Sequence, residues 1–155
     1  MTDGNLLLEK NGALATITFN NPKALNALTV ATFYGLEKLL KLADYALCSA
    51  DFFPPGCEDH NDVLAYLSSL GVPFAAITNG PDPIHTMAKD GKPATLYVPN
   101  IDAIDTMGAG DIFHGAFCHF VLKQDFASAI TSAAKIASQS CTFFGTRSWI
   151  EHYPS

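Results

Sequence analysis

Positive charge is scarce in this chain. Nine Lys and Arg residues stand against fifteen Asp and Glu among 155, for a formal net charge of −6. The nine are scattered, which argues against a nucleic-acid surface or an anionic membrane as partner. No apolar run approaches the length of a membrane span, and Met1 to Asn5 lack the basic and apolar regions of a signal peptide. The expectation is a cytoplasmic protein. The four cysteines, Cys48, Cys57, Cys118 and Cys141, show no Cys-x-x-Cys spacing, and the five histidines form no metal-ligand pattern with them. Reduced, mostly packing thiols are expected. Repeats and low-complexity tracts are absent.

What remains is a globular composition, 48% hydrophobic and 15% charged, long enough to bury one sizeable core. Leu6 to Glu9 and Ala13 to Phe19 are β-prone, and Asn11-Gly12 between them is a hairpin signal. Thr29 can cap a helix through about Leu42, with Phe33, Leu36, Leu39 and Leu40 on one face. Further on, Tyr45 to Cys48, Val63 to Leu70 and Phe74 to Thr78 read as strand, helix and strand, a βαβ unit, with Asn61 as N-cap and Gly71 closing the helix. His85 to Lys89 and Thr95 to Pro99, around Asp90-Gly91-Lys92, read as a hairpin, and Phe126 to Cys141 as an alanine-rich helix.

The chemistry centres on Asp105-Thr106-Met107-Gly108-Ala109-Gly110-Asp111. Gly108, Ala109 and Gly110 precede a helix-compatible run, so backbone N–H groups can converge there into an anion cradle. Asp111 falls in the first helical turn, where the positive helix end suits a carboxylate that accepts a proton. An oxyanion pocket beside such a base suits phosphoryl transfer to a hydroxyl.

This stretch resembles the signature of the ribokinase-like (PfkB) carbohydrate kinases, and residues from about Ala43 onward resemble the C-terminal half of that family. The resemblance implies a partial ribokinase-like α/β fold, a three-layer sandwich with a mainly parallel sheet. It makes Asp111 the catalytic base and Gly108, Ala109 and Gly110 the anion hole. It places nucleotide at Thr78, Asn79 and Gly80, at Thr106, and at Ala134 and Ala137 on the alanine-rich helix. Asp105 corresponds to the monovalent-cation region and also reads as a cap or turn residue. Asn79-Gly80-Pro81 also reads as a plain tight turn. Three positions depart from the pattern. Pro83 stands where relatives carry a second glycine, Ala134 where many carry Asn or His, and Ser49-Ala50-Asp51-Phe52 where they often carry Asn-x-x-Glu, leaving Asp51 as the acidic neighbour.

The implied activity is an ATP- and Mg²⁺-dependent phosphotransferase acting on a sugar or alcohol. The alternative is a nucleotide-binding or structural fragment, because the family's sugar is held mainly by its N-terminal half. Residues 5 to 40 resemble instead the opening of a crotonase (enoyl-CoA hydratase/isomerase) protein, through Ala15 to Pro22 and Lys23-Ala24-Leu25-Asn26-Ala27-Leu28. The expected organisation is therefore a crotonase-like segment, 1–42, joined to a kinase half, 43–155, by recombination, a misjoined frame or design. A sheet edge left open in such a chain points to a homodimer, with Ile17, Phe19, Phe33 and Leu36 covering part of the surface.

Overall fold

The protein is described by a computed structural model covering residues 6–12 and 14–152. The opening pentapeptide and Ala13, expected to begin a strand, lie outside the described residues. Leu6–Asn11 (β1) and Leu14–Phe19 (β2) form a separate antiparallel two-stranded sheet, with Leu6 opposite Phe19 and Asn11 opposite Leu14. Gly12 takes the left-handed φ of +61° that the reversal needs. The Lys23 to Leu28 run then makes a tight turn bracketed by two asparagines. Asn21 N–H donates to Asn26 Oδ1 and Asn26 N–H to the Asn21 carbonyl, both at 2.8 Å.

Val30–Leu40 (α1) begins at Thr29, as expected. Thr29 Oγ1 accepts from Thr32 N–H and Thr32 Oγ1 accepts from Thr29 N–H, a reciprocal cap. The inward face is not the expected one. Thr32 and Gly35 are buried, Leu36, Leu39 and Leu40 are half-buried, and Phe33 is 57% exposed. Ile17 and Phe19 also remain exposed, and every residue of β2 is exposed.

The main sheet holds Tyr45–Ser49 (β3), Phe74–Asn79 (β4), Asp82–Met87 (β5) and Pro93–Leu96 (β6), in that spatial order. β3 and β4 pair in parallel through the crossover helix His60–Ser69 (α2), while β4–β5 and β5–β6 are antiparallel hairpins. The sheet is thus mixed rather than mainly parallel, because the Gly80-Pro81 turn reverses the chain directly into β5. Pro83 is tolerated inside β5 because it falls where the β4–β5 register slips, between the Asn79–Asp82 and Ile77–His85 pairs. The cap of α2 is Asp59, not Asn61. Asp59 Oδ1 accepts from Asn61 and Asp62 N–H groups, and Asp62 Oδ2 reaches back to Asp59 N–H. Gly71, with a φ of +91°, closes the helix as expected.

Ala109–Phe120 (α3) and Phe126–Ser140 (α4) complete the fold as a helix pair joined by five residues, a link short enough to force antiparallel packing. Strand alternation sends β4 residues to two cores. Ala75 and Ile77 meet Val63, Leu64 and Leu67 of α2, while Ala76 joins Ile84, Phe113, Phe117 and Ile130 on the α3–α4 side. This gives three layers: α2, sheet, helix pair. Burial of each large aliphatic in these cores stabilises by about 1.5–3 kcal/mol. The N-terminal unit leans on the α2 layer. Leu40 packs against that core, and Tyr66 Oη donates to Glu37 Oε1 at 2.5 Å.

Candidate active site

α3 starts at Ala109, three residues before the apolar run that suggested it, with Gly108 as N-cap in the left-handed region (φ +76°). Only glycine fits there, since a Cβ would also meet Thr146 Cγ2 at 3.0 Å. Gly110 and Asp111 therefore occupy the first turn. Ala109 N–H donates to the Thr106 carbonyl at 3.2 Å and Ile112 N–H to the Gly108 carbonyl at 2.9 Å. Between these bonds lie the N–H groups of Gly110 and Asp111, in the turn where a helix leaves donors without intrahelical partners. The expected cradle is thus narrower, because the loop itself uses Ala109. Asp111 presents an exposed carboxylate beside it.

Two further contacts hold this turn. The His114 ring lies between the Gly110 carbonyl (Nδ1, 2.8 Å) and the Leu47 carbonyl (Nε2, 3.4 Å), tying the start of α3 to β3. Asp105 accepts from Met107 N–H through Oδ1 and from Gly145 N–H through Oδ2, each at 2.9 Å. The Met107 bond first and the Gly145 bond second hold its carboxyl below the ordinary carboxylate range, with partial burial opposing them. Ile104 and Asp105 N–H groups both donate to the Cys141 carbonyl, at 2.7 and 3.1 Å. The end of α4 is thereby pinned beside the start of α3.

A cleft of about 460 Å³ opens where these pieces meet. It brings together Thr78 and Gly80 at the β4–β5 turn, Thr106, Ala109 and Gly110 at the start of α3, and Ala134 and Ala137 on α4. Asn79, Gly108, Asp105 and Asp111 do not line it, although Asp111 directly follows Gly110. Asn79 Nδ2 instead donates to Asp82 Oδ2 across the turn, at 3.4 Å. Thr78 Oγ1 donates to the Cys48 carbonyl at 3.3 Å, so its hydroxyl also braces β4 against β3. The remaining walls are mostly apolar, including Ile84, Val98, Pro99 and Phe113. Ser138 and Cys141 were not anticipated as lining residues. Their signal lay in the helical spacing, since 134, 137, 138 and 141 fall on one stripe.

Among the described residues no three His, Cys, Asp or Glu side chains cluster for a metal, and all four cysteines are free thiols. Cys141 is buried, Cys48 and Cys57 are partly so, and Cys118 is exposed, so Cys118 is the one that departs from the expectation of mostly packing thiols. No described helix is long and apolar enough to cross a membrane.

A family model described as pfkB family carbohydrate kinase matches residues 8–152. The deoxyribokinase of Salmonella typhi is 30% identical over 84% of this chain and 48% of its own length. Among solved structures, aminoimidazole riboside kinase from Salmonella enterica, complexed with aminoimidazole riboside and an ATP analog, superposes with a TM-score of 0.69. It is 24% identical and covers 82% of this chain and 46% of its own. A candidate ribokinase II from E. coli in complex with ATP and Mg²⁺ gives a TM-score of 0.63 at 18% identity, over 79% and 44% of the two chains. The chain spans about half the length of the curated relatives it matches. Its architecture is a partial ribokinase-like α/β fold with a mixed sheet. The matched stretch takes in nearly all of the described residues, most of the crotonase-like opening included, and the chain belongs to the pfkB family of carbohydrate kinases.

Proposed function

We propose that the chain carries the phosphotransfer half of an ATP-dependent sugar or alcohol kinase, with Asp111 as the base. The observation that carries this reading is the cleft that runs from Thr78 and Gly80, past Ala134 and Ala137, to the first turn of α3. An anion seated at that turn meets the Gly110 and Asp111 N–H groups and the positive end of the helix. Gly108 and Thr106 shape the approach. Asp111 takes the proton of the acceptor hydroxyl as its oxygen bonds to the γ-phosphorus and the bond to the β-phosphate oxygen breaks, releasing ADP. Fixed N–H donors at the developing charge contribute most where water is kept out.

Mg²⁺ binds through one or two carboxylates, water and the nucleotide's own phosphates, so it needs no cluster of three protein carboxylates. Asp51, just past the end of β3, is the carboxylate that would share in holding it, and Mg²⁺ bound there would neutralise charge on the phosphates. Asp105 has two of its four lone-pair sites taken by backbone N–H groups, which leaves room for a monovalent cation beside its role as a loop clamp.

A second reading, nucleotide binding without turnover, is favoured by the half-length match, since whatever holds the acceptor in the relatives' other half has no counterpart in these residues. We take 1–42 as an accessory crotonase-like segment and 43–155 as the kinase half. Its exposed Ile17, Phe19 and Phe33 suit contact with a second copy of the chain, which sedimentation across a concentration series tests: a monomer at all concentrations removes the dimer. Coupled ADP release with a panel of sugars, deoxyribose among them, separates the two readings. ATP binding with no sugar-dependent ADP leaves only the second, and no ATP-induced shift of the Gly110 and Asp111 amide signals at millimolar concentration removes both.

A further inference from the structure

α4 contains five hydroxyl side chains, and four of them are used within the chain. Ser128 Oγ donates to Asp125 Oδ2, Thr131 to the Ala127 carbonyl, Ser132 to Gln124 Oε1 and Ser140 to the Ala137 carbonyl, at 2.7 to 3.0 Å. Ser138 differs. It is only 7% exposed, and among the described residues its hydroxyl has no hydrogen-bonding partner. A hydroxyl buried without a partner costs about 1–3 kcal/mol, and among the described residues no fully buried side-chain oxygen or nitrogen is left in that state. The Ser138 oxygen must therefore reach open space, and the space that Ser138 lines is the cleft.

The position along α4 narrows what it meets. Ala134 lies one turn earlier on the same stripe, and Cys141, whose carbonyl holds the Ile104 and Asp105 amides, lies just after. Ser138 thus sits on the α4 wall of a cleft that also takes in the first turn of α3. A ligand anchored by its phosphates at α3 presents its nucleoside to that wall. Around it the α4 stripe offers only Ala134, Ala137 and the Cys141 thiol, none of which makes a strong hydrogen bond.

We infer that Ser138 is a specificity-determining residue of the cleft, its hydroxyl hydrogen-bonding a heteroatom of the nucleoside part of the bound nucleotide, either a ribose hydroxyl or a purine ring nitrogen. This rests on the nucleotide reading of the cleft. The pairing supplies the partner that the chain withholds, and it rejects a nucleoside lacking that atom by leaving the serine unpaired.

The test compares the full chain with Ser138→Ala in titrations with Mg²⁺-ATP, 2′-deoxy-ATP, 3′-deoxy-ATP, 3-deaza-ATP, 7-deaza-ATP and inorganic tripolyphosphate. Ser138→Ala removes no internal bond, so its melting temperature should match the wild type. The variant should bind ATP about three- to tenfold more weakly, the range of one neutral hydrogen bond. One analogue should show the same loss on the wild type and no further loss on the variant; a deoxy analogue assigns the ribose, a deaza analogue the ring. Equal affinity of variant and wild type for every ligand overturns the inference while leaving nucleotide binding intact. An equal loss for tripolyphosphate also overturns it, by moving the contact to the phosphates. If neither protein binds ATP, the nucleotide reading itself fails.

Discussion

The two ends of this chain solve burial in opposite ways. In the α/β unit, β4 alone feeds two cores, and Leu64, Leu67, Ile77, Ile84 and Ile130 are almost wholly enclosed. In the N-terminal unit a hairpin of similar apolar content has one strand exposed throughout, and among the described residues of that unit only Leu6, Thr32 and Gly35 are buried. Alternation in a strand states which residues share a face; it does not provide a layer to cover that face. Stability and chemistry should therefore concentrate in residues 43 to 152, with the N-terminal unit attached through α1 and Tyr66.

The comparison breaks most decisively if chemistry survives without Asp111. Asp111→Asn keeps size but removes the base, so sugar-dependent ADP release should fall by about 10²- to 10⁴-fold. Turnover near the wild-type rate would move the chemistry elsewhere. Next in size is a pair of truncations read by chemical denaturation. Ile130→Ala should cost about 2–5 kcal/mol, whereas Phe33→Ala should stay within about 0.5 kcal/mol. Equal costs would mean that the N-terminal unit is as tightly packed as the rest.

Gly110→Val sharpens the placement of the cradle. An added Cβ meets no atom within 4 Å and Gly110 lines the cleft, so the fold should persist while ATP and phosphate affinity drop at least about tenfold. Loss of folding instead of binding would contradict the open geometry. The smallest effect concerns the attachment. Burial first, then the Glu37 hydrogen bond and charge, push the Tyr66 hydroxyl up to about 12 from 10.0. A raised acid favours the protonated folded form, so this contribution is complete below about pH 10 and is lost between about 10 and 12. Tyr66→Phe should cost about 1 kcal/mol at neutral pH and flatten the alkaline decline in that window. An unchanged alkaline limb would detach Tyr66 from it.

Much of this is legible in the sequence. Thr29, Gly71, the β3–α2–β4 crossover and the placement of Asp111 in a first helical turn follow from local chemistry that needs no partner. The misses share a cause. Asp59 and Asn61 are both good caps, and only the reciprocal Asp62 three residues after Asp59 decides between them. A strand beginning at Asp82 is not legible with Pro83 inside it, because a register slip that tolerates a missing N–H is a property of the pair, not of one strand. Ser138 was passed over because an unpartnered hydroxyl is defined only by what surrounds it.

The Asp105 bracket also sets an order of events during folding. Its two amide donors, Met107 and Gly145, lie on either side of the helix pair, and the Cys141 carbonyl joins the same junction. The first turn of α3 can form locally, but the junction behind it closes only after α4 has formed and docked, a loop closure spanning 40 residues. The sheet hairpins need no such wait. In refolding followed by pulsed amide exchange, Ile104, Asp105 and Gly145 should gain protection together and later than the β4–β5 ladder. A ligand site assembled in that last step is acquired by the chain only when it is otherwise complete.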